Sequence, residues 1–318
     1  TGRDPSRLPA RIAAAGGRFV AAERDQPDQL LGAIGAGADL LVDCICYTAT
    51  DARRLLPLMS EARSTVMISS KAVYVDDHGN HSNSESAPRF DRPIPETQPT
   101  MAPGEGDHTT REGYGAGKVA AEQVLLDSGL PVSVLRPSKI HGVGASRPRE
   151  WVFVKRVLDG RPAVFLANRG AGVDHTTAAV NIAALIETVA VFPGRRIMNI
   201  ADPDAPSALL IARTIARQLD HAWKEVLLDN ESGDLGRTPW DSPYPIVLDM
   251  TAAAELGYQP VGDYAATVAA EVDWLVDAAR AGNGVEKLTF INDPFFEPLL
   301  EYAAEDRYLA TLGVAGSP

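Results

Sequence analysis

Cysteine is nearly absent from this chain of 318 residues: Cys44 and Cys46 are the only two, one residue apart in an apolar run. That spacing sends them to opposite faces of a strand, so they read as small core residues in a fold that needs no disulfides. Also missing is any uninterrupted apolar window approaching about 18 residues, and the start lacks a basic-then-hydrophobic leader. No membrane span or signal peptide is expected, and a cytoplasmic location is the default. Basic clusters are scarce too. With 42 acidic against 30 basic residues, a formal net charge of -12 and no dense Lys/Arg block, the chain lacks the footprint that phosphate-backbone binding requires. A local patch or helix N-terminus could still hold a phosphorylated small molecule. The last absence is a glycine-rich strand-turn-helix. Gly16-Gly17 and Gly32, Gly35 and Gly37 have neither the spacing nor the preceding apolar strand of a phosphate-cradling turn.

What is present alternates between strand and helix. Apolar residues make up 45% of the chain, enough for a substantial core. Asp28 to Ile34 has helical spacing, and Asp39 to Tyr47 is an almost continuous strand run. Thr50 or Asp51 could cap the helix carrying Leu55, Leu56, Leu58 and Met59. Thr65 to Ser69 is a strand delivering Ser70, Tyr114 to Leu126 a helix, and Pro131 to Leu135 another strand. Runs buried on both faces and separated by helices indicate a parallel α/β sheet, with ligands at the strand ends. Beyond Gly142 follow a helix from Trp151 to Leu158, a short strand from Pro162 to Leu166 and a helix from Thr176 to Val191, with Asp174 or Thr176 as N-cap. A strand from Arg196 to Ile200 and helices from Ser207 to Leu219 and Ala265 to Ala281 complete the pattern.

Between Asp76 and Arg111 lies a long loop rich in Pro, Gly, Ser, Asp and His. A loop of that length in a compact domain is commonly a lid or binding loop, here expected to border the substrate cleft. His78 and His81 lie in it beside Asp76 and Asp77, but with no third well-spaced ligand no metal site is expected.

The chemistry concentrates in Tyr114-Gly-Ala-Gly-Lys118. A tyrosine and a lysine four apart share a helix face, where an ammonium can lower the pKa of a phenol that exchanges a proton with a carbinol. Three further elements accompany it in order: Val66-Met-Ile-Ser-Ser70 with Val73-Tyr74; Leu135-Arg-Pro137 with Ile140 and Gly142; and Leu248-Asp249 with Leu256-Gly-Tyr-Gln-Pro260 and a helix ending Trp274-Leu275. The combination resembles the extended short-chain dehydrogenase/reductase family, the NAD-dependent epimerases and dehydratases acting largely on nucleotide sugars.

The resemblance implies a Rossmann-like parallel sheet over residues 1–142 and a smaller, interlaced, mainly substrate-binding lobe over 143–318. The family's first βα unit has no counterpart: Thr1-Gly-Arg3 is similar to the tail of its second strand and Arg18 to Asp25 to its third. That unit then belongs to a longer chain, comes from another polypeptide, or is absent in a shortened relative.

By the same resemblance Tyr114 is the acid/base, Lys118 depresses its pKa and meets the nicotinamide ribose, and Ser70 holds the substrate oxygen, with neighbouring Ser69 a competitor. Glu122 reads as a solvated or salt-bridged helix residue. NAD or NADP would be met by Glu23 and Arg24 near the adenine, by Cys46, Tyr47 and Thr48 under the cofactor, and by Pro137, Lys139 and Ile140. Tyr47 replaces a usually small residue and could narrow the cleft. Lys155, Arg156 and Arg161 would meet a substrate diphosphate, and Asn181 stands where the family commonly has aspartate. The implied function is an NAD(P)-dependent oxidoreductase or epimerase working on a carbinol or ketone of a sugar-like, nucleotide-linked small molecule, with a homodimer open. The alternative is a non-catalytic nucleotide-binding or regulatory protein retaining the fold. Lys71, where dehydratases tend to carry an acid, weakens the dehydratase reading.

Overall fold

A computed structural model describes residues 1–229, 234–281 and 293–311. In chain order its elements are α1 (Ala10–Ala14), α2 (Pro27–Ile34), β1 (Ala38–Asp43), α3 (Ala49–Met59), β2 (Ala62–Ile68), α4 (Arg111–Asp127), β3 (Val132–Pro137) and β4 (Lys139–His141). Then follow α5 (Trp151–Leu158), β5 (Ala163–Leu166), β6 (Thr176–Ala178), α6 (Ala179–Val191), β7 (Arg196–Ile200), α7 (Ala208–Gln218), β8 (Lys224–Leu227), α8 (Thr251–Glu255), α9 (Tyr264–Arg280) and α10 (Ala303–Thr311).

Four strands form a parallel sheet in the order β1-β2-β3-β7, with Asp43 opposite Met67, Ile68 opposite Leu135 and Leu135 opposite Met198. Both faces are covered, which is why the strands read as continuous apolar runs. On one face Met67 and Val134 pack with Leu55, Leu58 and Leu125 of α3 and α4; on the other, Val66 and Leu135 pack with Leu185 and Val189 of α6. The chain's second half returns β7 to this sheet. A separate core of Trp151, Phe153, Ile211, Trp240, Val268 and Leu275 joins α5, α7 and α9, while β4 pairs with β6 and β5 with β8.

Several expected boundaries move, each for a local reason. β1 stops at Asp43, whose carboxylate accepts from the Ile45 N–H at 2.9 Å and turns the chain; Cys44 is consequently exposed and Cys46 alone is core. α3 is capped by Thr48, not Thr50 or Asp51, through a reciprocal box in which Asp51 is the third residue. α6 starts at Ala179, because Thr176–Ala178 pairs with β4; its N-cap Ala178 donates its N–H to Asp202 Oδ1 at 2.7 Å instead of being capped by Asp174 or Thr176. The Arg18–Asp25 segment forms no strand, only the parallel bridge Gly2↔Ala21.

The 76–110 segment has no helix or strand of its own, yet it is pinned to the body. Ile94 is buried and bridges Leu248, Met101 N donates to Val73 O at 2.8 Å, and Glu96 Oε1 accepts from Asn199 N at 2.7 Å.

Candidate active site

Ser70 leaves the carboxyl end of β2 and caps a short 3-10 turn, its Oγ accepting from Ala72 N at 3.1 Å. The same hydroxyl lies beside the Tyr114 phenol, close enough to pull its pKa down against burial. Tyr114 is carried there by α4, whose first turn is set by Thr110 accepting from Gly113 N at 3.0 Å. The intervening glycines explain how closely this helix lies against its neighbours. A Cβ on Gly115 would stand 2.8 Å from Ala72 O, and one on Gly117 2.7 Å from Tyr47 O, so only glycine fits.

Lys118 lies one turn deeper and is buried. Its Nζ donates to Cys46 O and Ile68 O, each at 2.9 Å, and lies 4.3 Å from the Tyr47 ring centroid and 6.0 Å from that of Tyr114. Burial pulls its pKa down to about 8. The expectation that Lys118 depresses the Tyr114 pKa is not what the structure shows. Burial pushes that phenol up, and the opposing influences are the Ser70 hydroxyl and the charge of Arg149. Tyr47 covers the lysine while stacking on His108 of the long segment, with ring centroids 5.1 Å apart.

The adjacent serine faces another way. Ser69 donates to Glu122, which forms a buried ion pair with Arg136 (Nε to Oε1 3.1 Å). Arg136 in turn lies 4.8 Å from the Tyr74 ring centroid, and the Tyr74 hydroxyl donates to Asn199 Oδ1 at 2.6 Å. Glu122 is therefore salt-bridged, and Ser69 is committed away from Tyr114.

The remaining predicted residues divide. Glu23 and Arg24 line a cleft of roughly 680 Å³ with Gly2, Asp43, Cys44 and Ile45. Arg24 is held there by Asp43 (3.0 and 2.7 Å) and Asp51 (3.3 Å), tying the end of β1 to α3. Cys46 contributes its carbonyl to Lys118, Thr48 its side chain to the α3 cap, and Pro137 is the buried end of β3. Lys139 turns to Asp174 (3.1 Å), whereas Ile140 beside it is exposed. The basic residues expected at a diphosphate are engaged elsewhere: Lys155 pairs with Asp159 at 2.6 Å, Arg156 with Glu305 at 2.8 Å, and Arg161 with Asp306 at 2.5 Å. The first closes the end of α5 on itself, and the other two fasten α5 and the turn after it to α10. Asn181 is buried, donating to Asp202 Oδ1 and Gly262 O and accepting from Val261 N, which ties α6 to the turn before α9.

Sequence reasoning missed a charged group on the Ser70 side. Lys71 follows Ser70 into the interior and forms an ion pair with Asp174, the carboxylate Lys139 also uses. Arg149 is close enough for its charge to act on Tyr114, Lys71 and Lys139. Below them His141, Glu150 and Glu271 come together in the interior; His141 Nε2 contacts Asp202 Oδ2 at 2.9 Å and Gly142 N donates to Glu271 Oε2 at 2.6 Å. Burial and the nearby Glu150 push Glu271 up to about 10, so it carries a proton at neutral pH. The one legible signal was Lys71 beside the site serine.

A family model described as Male sterility protein matches residues 49–170, the stretch from α3 through β5. No curated protein sequence matches the chain. Among solved structures, dTDP-glucose 4,6-dehydratase from Bacillus anthracis in complex with NAD is similar over 90% of this chain and 87% of its own, at 15% identity and a TM-score of 0.62. UDP-glucose 4-epimerase from Thermotoga maritima, with UDP-glucose, is similar over 87% and 90%, at 15% identity and 0.60. UDP-glucuronic acid 4-epimerase from Bacillus cereus, with UDP-glucuronic acid and NAD, is similar over 87% and 88%, at 15% and 0.60. The chain shares the fold of these NAD- and nucleotide-sugar-bound structures.

Proposed function

We propose that the protein is an NAD(P)-dependent oxidoreductase or epimerase acting on a carbinol or ketone of a nucleotide-linked sugar. The observation that carries this reading is the Tyr114 phenol set beside the Ser70 hydroxyl at the carboxyl end of β2, one helical turn above a buried Lys118. The ligands named in the similar structures, NAD, UDP-glucose and UDP-glucuronic acid, support the substrate class.

The residues fit a nicotinamide dinucleotide. The cleft past β1 opens toward Glu23 and Arg24, and Lys118 has its ammonium at the ends of the β1 and β2 strands, held by two carbonyls that a ribose hydroxyl can replace. When bound, that group supplies the hydride acceptor and donor. The chain's own residues handle the proton and the oxygen. Ser70 holds the substrate oxygen, and Tyr114 takes the carbinol proton or returns it to the carbonyl. The positive charge of Arg149 favours the phenolate that must form transiently, against the burial that disfavours it. Lys71 in place of an acid beside Ser70 favours epimerase or reductase over dehydratase.

Turnover of a panel of UDP- and dTDP-hexoses with NAD and NADP, compared between the parent and Tyr114→Phe, tests the reading. The variant is expected to keep its melting temperature and to lose at least about 100-fold in turnover, the size of a positioned proton donor. Parent-like turnover by the variant, or no turnover of any panel member by the parent, removes the assignment.

A further inference from the structure

Three cations converge on the substrate side of Ser70 and Tyr114: Lys71, Lys139 and Arg149. Lys71 and Lys139 share a single carboxylate, Asp174, and their side chains are only 7% and 20% exposed. Arg149 has no carboxylate within ion-pairing distance among the described residues. Its one hydrogen bond there is a long one, from Nη1 to Ile140 O at 3.3 Å. A guanidinium carries five N–H donors, so most of its fork is uncommitted. The acids whose charge reaches it are Glu150 and Glu271. Glu150 accepts from the Tyr264 hydroxyl, and Glu271 is the carboxyl that carries the proton of the pair. Half-buried cations packed this closely oppose one another's charge, and an oxyanion among them would relieve that opposition while filling the guanidinium fork.

We propose that the substrate carries an oxyanion, carboxylate or phosphoryl, close to its reacting carbinol, and that Arg149 receives it against the Lys71–Asp174–Lys139 wall. This rests on the reading that Ser70 and Tyr114 hold the reacting oxygen. It names a subsite distinct from Lys155, Arg156 and Arg161, whose charges are already paired with Asp159 at the end of α5 and with Glu305 and Asp306 of α10. Asp174 then serves as the counter-ion that holds in place two lysines whose charge burial and the neighbouring cations disfavour, and an arriving oxyanion favours that charge.

Calorimetric titration of the protein with UDP-glucuronate, UDP-glucose and orthophosphate tests this without requiring turnover. The two sugar nucleotides differ in a carboxylate against a hydroxymethyl group. One of the two oxyanion probes is expected to bind with Arg149-dependent affinity: about tenfold or more is lost in Arg149→Gln and part is regained in Arg149→Lys, as for a charge-assisted hydrogen bond. Discrimination between UDP-glucuronate and UDP-glucose identifies a carboxylate. Arg149-dependent orthophosphate binding without that discrimination identifies a phosphoryl group. Equal affinities for the two sugar nucleotides with no Arg149-dependent phosphate binding, or a preference that survives Arg149→Gln in a variant of unchanged circular dichroism, overturns the proposal. Failure of the turnover assay leaves this result standing, because the titration reads binding alone.

Discussion

Two adjacent serines at the end of β2 enter two different polar clusters, and the contrast between them separates architecture from chemistry. Ser69 joins Glu122, Arg136, Tyr74 and Asn199, where the two charges neutralise each other and every member is buried. Ser70 joins Tyr114 near Lys118, where the tyrosine is only partly buried and the ammonium meets carbonyls instead of a carboxylate. Both clusters hang on one face of α4, since Tyr114, Lys118 and Glu122 follow at intervals of four. The lower cluster is closed and neutral and leaves no group to act on a ligand. The upper one keeps a phenol and an ammonium whose protonation is under strain from burial, which is the condition of groups that move protons.

Breaking the closed cluster produces the largest expected effect. Arg136→Met leaves the Glu122 carboxylate buried without its cation, and the stability loss is expected to be about 3–5 kcal/mol. Replacing both partners, Glu122→Met with Arg136→Met, is expected to recover much of that loss, because the uncompensated charge is gone. Denaturant unfolding of the three proteins checks it. A single variant as stable as the parent would show that the pair does not hold α4 to β3.

The elements carrying both clusters were readable in the residues. Continuous apolar runs at Thr65–Ser69 and Pro131–Leu135 mark strands covered on both faces, and the structure places them there as β2 and β3. Short strands were not readable. β4 and β6 are three residues each, and Thr176–Ala178 continues smoothly into the apolar periodicity of α6, so periodicity alone merged them. The same limit applies to long-range pairings. Arg24, Arg156 and Arg161 each stood at a sequence position suited to a ligand, but their carboxylate partners lie 19 or more residues away and only the fold brings them together. Arg149 was not legible for the opposite reason, because nothing local marks an arginine whose charge tertiary packing brings to a phenol. The long 76–110 segment looked like a lid by composition, yet Ile94 and Glu96 pin it, leaving the His108 end against Tyr47 as the part that meets the site.

A smaller effect comes from the ammonium of the open cluster. Burial holds Lys118 at about 8 in the folded protein, below its ordinary value of 10.5. Between those values the unfolded chain binds the proton and the folded one does not, so this lysine makes stability rise with pH across that window. The contribution reaches about 2–3 kcal/mol at its top. Lys118→Met removes it. The stability of the parent relative to this variant is therefore expected to increase from pH 8 to pH 10.5, whatever constant offset the lost carbonyl contacts impose. A pH-independent difference between the two unfolding curves would place Lys118 in a more solvated setting than its two carbonyl contacts describe.

The smallest expected effect divides the two serines themselves. Ser69→Ala removes one donor from the Glu122 carboxylate, which retains Arg136, so a loss of about 1–2 kcal/mol in stability is expected with kinetics unchanged. Ser70→Ala removes a hydroxyl whose intramolecular hydrogen-bond partner is Ala72 N, at a partly buried position beside the Tyr114 phenol, so stability is expected to change by less than about 1 kcal/mol. Its cost appears in catalysis instead, as a fall in kcat/KM of about tenfold or more, because the reacting oxygen loses its hydrogen-bond partner while Tyr114 remains. Unfolding curves and kinetics on the same preparations cross-check the two variants. If Ser69→Ala lowered kcat/KM as much as Ser70→Ala at equal folded fraction, the division between the closed and open clusters would fail, since the serine facing the ion pair would then also be touching the substrate.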